Sequence, residues 1–175
     1  MKTTVLVFHP HLEKESKVQK TLADKARQAG IEVRDLYVLY PDFAIDVAKE
    51  QQVLEEADRI ILQFPIYWYQ TPALMKQWFD AVFEYGWAYG STGTKLQGKE
   101  ILLVPSFGAK EEDYQLGGRF DTTVDEILKP ITTIQYLTGL KFLAPFIVTD
   151  ALSLSDSSLR EIGVKYKELL NQRIY

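Results

Sequence analysis

Short apolar runs alternate with amphipathic segments along the whole chain. Residues 4–8 form a short apolar run rich in β-branched side chains, which predicts a buried strand. Residues 16–29 carry apolar side chains at helical spacing, and Ser16 and Gly30 are suited to begin and end that helix. The same alternation predicts further strands at 31–36, 60–64, 101–104 and 142–149, and further helices at 47–57, 72–83, 122–137 and 155–170.

This order of elements predicts the fold class. Five strands that alternate with helices are typical of a parallel sheet covered on both faces, which is an α/β three-layer sandwich. Right-handed crossovers leave two common strand orders, the flavodoxin-like order and the Rossmann-like order. Pro130 should kink or split the helix predicted at 122–137. The chain has no repeat or obvious linker, so residues 1–175 are predicted to form one domain.

Composition narrows the possible classes of function. The 175 residues are 46% hydrophobic and 25% charged, which is ordinary for a soluble domain, and the formal net charge is -4. Lysine and arginine are scattered, which argues against a nucleic-acid surface. Cysteine is absent, which excludes disulfides and thiolate chemistry. The first predicted strand starts at residue 4 and no apolar run approaches about 20 residues, so a cytoplasmic protein is expected.

An aromatic loop follows the third predicted strand. It runs from Pro65 to Pro72 and contains Tyr67, Trp68 and Tyr69. Open α/β sheets bind ligands beside the carboxyl ends of their strands, and flat side chains there would suit a planar ring such as a flavin. Aromatic clusters also serve as ordinary core packing. The pattern alone supports the two interpretations about equally.

The loop after the first strand, residues 9–16, is the candidate phosphate site. It has neither the G-x-G-x-x-G of dinucleotide-binding folds nor the G-x-x-x-x-G-K-[ST] of P-loops. Free N–H groups at the start of the following helix, together with Ser16, Lys17 and His9, could bind a phosphate. Alternatively, Ser16 only caps its helix and His9 only packs, and the acidic residues of this loop favour that alternative.

Two other segments are weaker candidates. The serine and glycine of residues 106–109 would let backbone amides approach a ligand, although a simple turn would use the same residues. The aromatic segment 85–90 could be a dimer surface or a substrate wall. His9 and His11 lack a third ligand at metal spacing, so no metal site is predicted.

Three segments together resemble a known family. They are His9-Pro10 with Ser16, the run 63–78, and the run 86–90. In this order they resemble the flavodoxin-like NAD(P)H:quinone oxidoreductases. Within that family they are most similar to the bacterial branch that includes the ancillary oxidoreductases of glutathione-gated potassium efflux systems. The resemblance covers nearly the whole chain and implies the flavodoxin-like strand order.

The resemblance implies a homodimer with one flavin per subunit. FMN is favoured over FAD, because the segment after the fifth predicted strand is short and the last helix follows at once, so no extra element is left to hold an adenosine half. The implied cofactor-binding residues fall into three groups. The phosphate and ribityl end would be held by His9, Ser16, Val18 and Gln19; the ring would lie on Pro65, Ile66, Tyr67 and Trp68; and its N1 and O2 edge would face Ser106, Phe107, Gly108, Ala109 and Tyr114.

The reaction that the resemblance implies is a ping-pong transfer of two electrons. NAD(P)H would reduce the flavin and leave, and a quinone or similar electron-poor acceptor would then occupy the same space. Trp68, Tyr89 and Phe120 would bind these substrates, with Tyr89 reaching into the pocket of the partner subunit. Tyr114 would be the catalytic residue, because its hydroxyl could stabilise negative charge on the ring or supply a proton.

Three features depart from the family pattern. The usual Thr-Thr-Gly-Gly is Ser106-Phe107-Gly108-Ala109 in this chain. The first loop is one residue longer than usual, with Gln19 where asparagine is common. Phe120 stands where the mammalian branch has a histidine. The first two departures are expected to weaken flavin binding, and the third removes a histidine-assisted proton relay.

Other functions remain open from the sequence. The protein could be a regulatory subunit that binds the cytoplasmic domain of a potassium-efflux transporter and has incidental redox activity. It could be a one-electron carrier, although the modest net charge and the missing flavodoxin phosphate loop argue against this. It could also be a domain that has lost its flavin through the altered loop 106–109. Turnover by the isolated protein would separate the enzyme from the regulatory subunit.

Overall fold

Five parallel strands form one sheet with the order β2-β1-β3-β4-β5 in the computed structural model, which describes residues 1–172. Strand β3 pairs with β1 on one side and with β4 on the other. This is the flavodoxin-like order, and the predicted α/β three-layer sandwich is confirmed. The strands are β1 Thr3–Val7, β2 Glu32–Asp35, β3 Arg59–Pro65, β4 Glu100–Ser106 and β5 Lys141–Phe142.

The helices that connect these strands are α1 Leu12–Glu15, α2 Lys17–Gln28, α3 Leu36–Leu39, α4 Val47–Glu56, α5 Ala73–Val82, α6 Val124–Thr132, α7 Gln135–Thr138 and α8 Asp156–Asn171. The predicted starts of two helices, at Ser16 and Ser155, are confirmed, because each serine caps its helix. Ser16 caps α2 by accepting a hydrogen bond from the Gln19 N–H at 3.0 Å, and Ser155 caps α8 in the same way. Across residues 1–172, every helix is too short or too polar to cross a bilayer.

Alternate residues of the central strands face two separate apolar layers. Leu6 of β1 belongs to one layer, where it is joined by Trp78 of α5 and by residues of α4 and α6. Val5 and Val7 belong to the other layer, together with Tyr166 of α8 and residues of α2. This period of two is expected of strands that are buried on both faces. The carboxyl ends of the strands are left free to carry the loops of the site.

The fifth strand is shorter than the predicted span 142–149, so that prediction was wrong. Regular pairing stops at Phe142, although later N–H groups still donate to β4 carbonyls, as Val148 does to Pro105 at 3.1 Å. Pro145 lies in this segment and Pro105 lies beside it in β4, and neither residue has an N–H to donate. The missing donors explain why the segment follows β4 without a continuous ladder.

The helix predicted at 122–137 is split in two, but the break does not lie at Pro130. Helix α6 runs through Pro130 to Thr132, and the Ile134 N–H then bonds to the Ile131 carbonyl, three residues back, at 3.1 Å. This tighter turn separates α6 from α7. The short helices α1 and α3 were not predicted, because one helical turn is too short to show a periodic pattern.

A buried carboxylate ties α4 to three neighbouring segments. Glu50 of α4 is fully buried and accepts hydrogen bonds from Arg34, from Tyr40 Oη at 2.6 Å and from Trp78 Nε1 at 3.0 Å. Burial and this carboxylate raise the pKa of Tyr40, so its hydroxyl remains a donor. A buried charge is stable here because it is paired with a cation and two further donors.

Removing this carboxylate should strongly destabilise the fold. Glu50→Ala would leave Arg34 and two other buried donors without their partner, so the free energy of unfolding in a urea titration should fall by about 3–5 kcal/mol. Glu56→Ala, at an exposed position of the same helix, is the control and should change this free energy little. Equal stability of the Glu50 variant and the wild type would contradict the structural role of the cluster.

Candidate functional site

The loops that follow β1, β3 and β4 meet at one edge of the sheet, because these strands are parallel neighbours. They border two adjoining cavities of about 360 and 640 Å³, which share Ile66, Gly108 and Leu152. Of the residues predicted from the sequence, the smaller cavity is also lined by His9, Ser16, Val18, Pro65, Tyr67 and Ser106, and the larger by Trp68, Ala109, Tyr114 and Phe120.

The smaller cavity is bordered by the N-terminus of α2. Within residues 1–172, Ser16 Oγ accepts the Gln19 N–H, and the N–H groups of Lys17 and Val18 have no acceptor. The first turn of α2 carries no acidic residue, and Lys17 adds a positive charge. The exposed Glu15 on the same rim opposes anion binding. Two free amides, the helix dipole and a lysine outweigh this one carboxylate and suit the site to a phosphate.

His9 offers a defined donor to the same cavity. Its Nδ1 accepts a hydrogen bond from the His11 N–H at 3.1 Å, so the neutral ring carries its proton on Nε2. Burial lowers the pKa of His9, and the neighbouring His11 side chain adds to this effect while Glu15 opposes it. The ring is therefore neutral at neutral pH, and Nε2 is available to donate to an oxygen atom of a ligand.

The aromatic loop is a tight turn with an unusual backbone. Tyr67 and Gln70 exchange two backbone hydrogen bonds at 3.0 Å, and the residues between them, Trp68 and Tyr69, have φ angles of 51° and 60°. This arrangement matches a type I′ turn, which favours asparagine and glycine. A side chain at positive φ costs about 1–2 kcal/mol, and the Trp68 side chain is 92% exposed. Exposure rules out core packing for Trp68, and strain favours a role in ligand binding.

The loop after β4 offers a backbone donor. Phe107 is fully buried, and its N–H and carbonyl bond to Val148 and Ala151 at 2.8 and 2.9 Å. Its ring packs beneath that of Tyr114 and does not line either cavity. Among residues 1–172, the N–H of Gly108 has no acceptor. Gly108 borders both cavities, and a Cβ atom there would lie 3.3 Å from the side chain of Leu152. The glycine therefore keeps this part of the groove open.

Tyr114 lies in the larger cavity and is held by aromatic contacts. Its ring centroid is 4.9 Å from that of Phe107 and 5.0 Å from that of Phe120. Burial raises the pKa of Tyr114, and the nearby backbone amide of Ala109 partly opposes this shift. The hydroxyl is therefore protonated at neutral pH and is a donor in the cavity.

Three predicted residues do not reach the two cavities with their side chains. Gln19 is fully buried beneath the loops, where its amide bonds to strand carbonyls. Phe107 lies in the core, as described above. Tyr89 follows α5, where its ring packs against Tyr85 with centroids 5.7 Å apart. A contribution from Tyr89 to this groove would need a second subunit.

Sequence reasoning missed several residues that border the groove. Leu152 is 88% exposed and borders both cavities. The larger cavity is also lined by charged side chains of both signs: Lys110, Arg119, Glu112, Asp113 and Asp150. Arg119 lies over the ring of Phe120 at 5.2 Å from its centroid. Leu152 had no sequence signal, because it lies in a serine-rich segment outside any periodic element.

The donor set of the groove fits FMN. A phosphate needs amide and cationic donors, which the N-terminus of α2 supplies. A planar ring needs a flat apolar surface with polar donors at its edge. Trp68 offers the surface, and Gly108 and Tyr114 offer donors.

Replacing Trp68 by asparagine should stabilise the free protein. Asparagine tolerates positive φ, and little burial is lost because Trp68 is exposed, so the free energy of unfolding should rise by about 0.5–1 kcal/mol. Urea titration measures the change. Tyr85→Asn removes another exposed aromatic side chain, one without positive φ, and should bring no such gain. If the Trp68 variant is less stable than the wild type, the claim that the Trp68 backbone is strained is wrong.

The shifted pKa of His9 predicts a pH dependence of stability. The folded-state pKa lies below the unfolded value of about 6.5, so protonation favours the unfolded chain. The stabilisation that the neutral His9 ring contributes is present above about pH 6.5 and is lost as the pH falls through the folded-state pKa of His9. The free energy of unfolding should therefore fall as the pH is lowered below about 6.5, and His9→Gln should remove part of that fall. Identical pH slopes in variant and wild type would contradict this prediction.

Comparison with known proteins identifies relatives of the chain. A family model described as a flavodoxin-like fold matches residues 1–170. The Bacillus subtilis (strain 168) protein named uncharacterized NAD(P)H oxidoreductase YrkL is 49% identical over 171 residues, which cover 97% of this chain and 98% of that protein. The glutathione-regulated potassium-efflux system ancillary protein KefF of Enterobacter sp. (strain 638) is 36% identical over 95% of this chain and 93% of its own length.

Solved structures share the fold over almost the full chain. General stress protein 14 of Treponema denticola, in complex with FMN, has a TM-score of 0.88 and 36% identity, with 97% and 96% of the two chains covered. An NADPH-quinone reductase from P. pentosaceus has a TM-score of 0.88 and 30% identity, with 99% of each chain covered. A structure described as a thermophilic tryptophan halogenase from S. violaceusniger has a TM-score of 0.93 and 45% identity, with 98% and 99% covered. The fold and the sequence matches agree with the resemblance found from the residues, and the chain belongs to the flavodoxin-like fold family.

Proposed function

We propose that this protein is an FMN-dependent NAD(P)H oxidoreductase that passes two electrons to quinones or similar electron-poor acceptors. The observation that carries this proposal is one groove that joins the free amides at the α2 N-terminus to the strained, exposed Trp68. The first feature suits the phosphate of one FMN molecule, and the second suits its ring. The names of the oxidoreductase relatives and the FMN-bound stress protein support the same function.

Three segments of the chain would hold the cofactor. Ser16 and the amides of Lys17 and Val18 would bind the phosphate, and His9 Nε2 would donate to the phosphate or to a ribityl oxygen. The turn that begins at Tyr67 would support the ring. When bound, the flavin supplies the two-electron redox chemistry that the side chains of this protein lack. FMN is proposed rather than FAD, since the short segment between β5 and α8 adds no further element.

The larger cavity would receive both substrates. Its aromatic lining of Trp68, Tyr69 and Phe120 suits the flat rings of a nicotinamide and of a quinone. Because one cavity would serve both, the oxidised nicotinamide would have to leave before the acceptor enters. This requirement leads to the ping-pong order.

Tyr114 would hold the proton at the groove. Its protonated hydroxyl can stabilise negative charge that develops beside it, and the rings of Phe107 and Phe120 hold the Tyr114 ring in place. Phe120, which contacts Tyr114, cannot relay a proton. Protons would therefore pass between Tyr114 and solvent.

Two partners accompany this proposal. A homodimer would bring the aromatic segment 85–90, with Tyr89, to the groove of the second subunit.

The 36% identity to KefF supports a second candidate function, an ancillary subunit that binds the cytoplasmic domain of a membrane transporter. Co-purification with a transporter would support this second function, and full turnover by the isolated protein would show that catalysis does not depend on it.

A visible absorption spectrum followed by anaerobic additions tests the proposed enzyme. We expect flavin bands that bleach on addition of NADPH or NADH and return on addition of menadione. Tryptophan with chloride accepts no electrons in the absence of an oxidant, so it is the negative control and should leave the bleached spectrum unchanged. A protein that fails to bind added FMN would overturn the proposal and favour the ancillary function.

Tyr114→Phe should slow reduction of the quinone by about 10²-fold, because one preorganised donor is lost from the groove. Stopped-flow spectroscopy measures this step separately from FMN binding. Tyr136→Phe removes an exposed hydroxyl on α7 and is the control, with an unchanged rate expected. A wild-type rate in the Tyr114 variant would mean that solvent alone supplies the proton.

A further inference from the structure

A chain of buried side chains lies directly beneath the loops of the groove. Tyr166 Oη of α8 donates to Gln63 Oε1 at 3.3 Å, and Gln63 Nε2 donates to Gln19 Oε1 at 3.1 Å. Gln19 Nε2 in turn donates to the carbonyl oxygens of Phe64 at 3.0 Å and Val104 at 3.1 Å. The side chains of Tyr166, Gln63 and Gln19 are all fully buried.

This network is complete as well as buried. Burial raises the pKa of Tyr166, so its hydroxyl remains a donor to Gln63. Within residues 1–172, none of the polar atoms of these three side chains lacks a partner. A satisfied buried network specifies one geometry, because any displacement leaves polar groups unpaired in a low-dielectric core.

The two ends of the network coincide with the two halves of the site. Gln19 lies in the first turn of α2, next to the free amides of Lys17 and Val18. Phe64 and Val104 lie near the carboxyl ends of β3 and β4, just before the loops that would contact the ring. The strands hold each other through seven paired positions without Gln19, whereas α2 has no such ladder to the sheet. The Gln19 amide is thus a direct polar link between α2 and both strand ends.

We propose that Gln19 is a positioning residue, which sets the separation between the phosphate-binding N-terminus of α2 and the ring-binding loops so that both halves of FMN fit at once. This role, which rests on the proposed function, differs from the direct cofactor contact that the family resemblance implies for Gln19. The side chain reaches strand carbonyls and does not border the cavity.

Comparison of FMN with riboflavin, which lacks the phosphate, tests this role. The apoprotein is titrated with each ligand, and the quenching of flavin fluorescence gives both values of Kd. Binding two linked groups at once can raise the overall affinity by about 10²- to 10⁴-fold, and this gain is lost when the geometry prevents both from binding together. In Gln19→Met the Kd of FMN should rise by about 10- to 100-fold, while the Kd of riboflavin should rise less than about threefold, because riboflavin does not use α2.

Gln28→Met makes the same substitution at an exposed position of the same helix, and it should change neither Kd. If Gln19→Met does not fold, Tyr166→Phe is the second variant, because it keeps the core volume almost unchanged and removes only the hydroxyl at the far end of the network. In that variant the preference for FMN over riboflavin should fall by about two- to fivefold.

Two outcomes would overturn the inference, and they differ from each other. An unchanged preference for FMN over riboflavin in Gln19→Met, whether both affinities fall equally or neither falls, would show that Gln19 does not position α2 and would leave the flavin site in place. A wild-type protein that binds neither ligand would overturn both the positioning role and the proposed function. A selective loss of the phosphate advantage supports the positioning role.

Discussion

The pairing of β3 with β1 on one side and β4 on the other is the constraint on which the whole site depends. Three parallel neighbours end at the same edge of the sheet, so residues 9–16, 66–72 and 107–109 meet in one groove. A helix terminus alone would bind phosphate weakly, and an exposed aromatic turn alone would have no defined ligand. The strand order brings both to the same edge of the sheet, where they can form one site.

Two costly features lie close together at this edge. Trp68 occupies a backbone conformation that favours asparagine or glycine, and a chain of buried polar side chains lies below the neighbouring strand ends. If folding were the sole requirement, an apolar core and a turn with glycine would give a more favourable free energy of folding. Their common position at the groove is explained if both serve to bind and orient a ligand. The core below them is apolar and tightly buried, which holds these features in place.

The fold class and the position of the groove were predictable from the sequence, because both depend on short-range periodicity and on one topological rule, whereas the flavodoxin-like strand order followed from the family resemblance. Apolar runs of strand length located the strands, and the position of Ser16 and Trp68 after strand ends located the groove. The conformation of the turn was not predictable, because it depends on the hydrogen bonds between Tyr67 and Gln70. The direction of the Gln19 side chain depends on which carbonyls lie within reach after folding.

The early end of β5 has the same kind of cause. It depends on which residues of two distant segments come to lie side by side, and a single sequence does not show that Pro105 lies beside the segment that contains Pro145. Long-range pairing of this kind also decided that Leu152 would border both cavities.

A crystal structure of the protein with FMN tests the central claim most directly. The account predicts that the phosphate accepts hydrogen bonds from the N–H groups of Lys17 and Val18 and that the ring lies against the turn at Trp68, with the N–H of Gly108 at its edge. A phosphate bound away from α2, or a ring that does not contact this turn, would contradict the account.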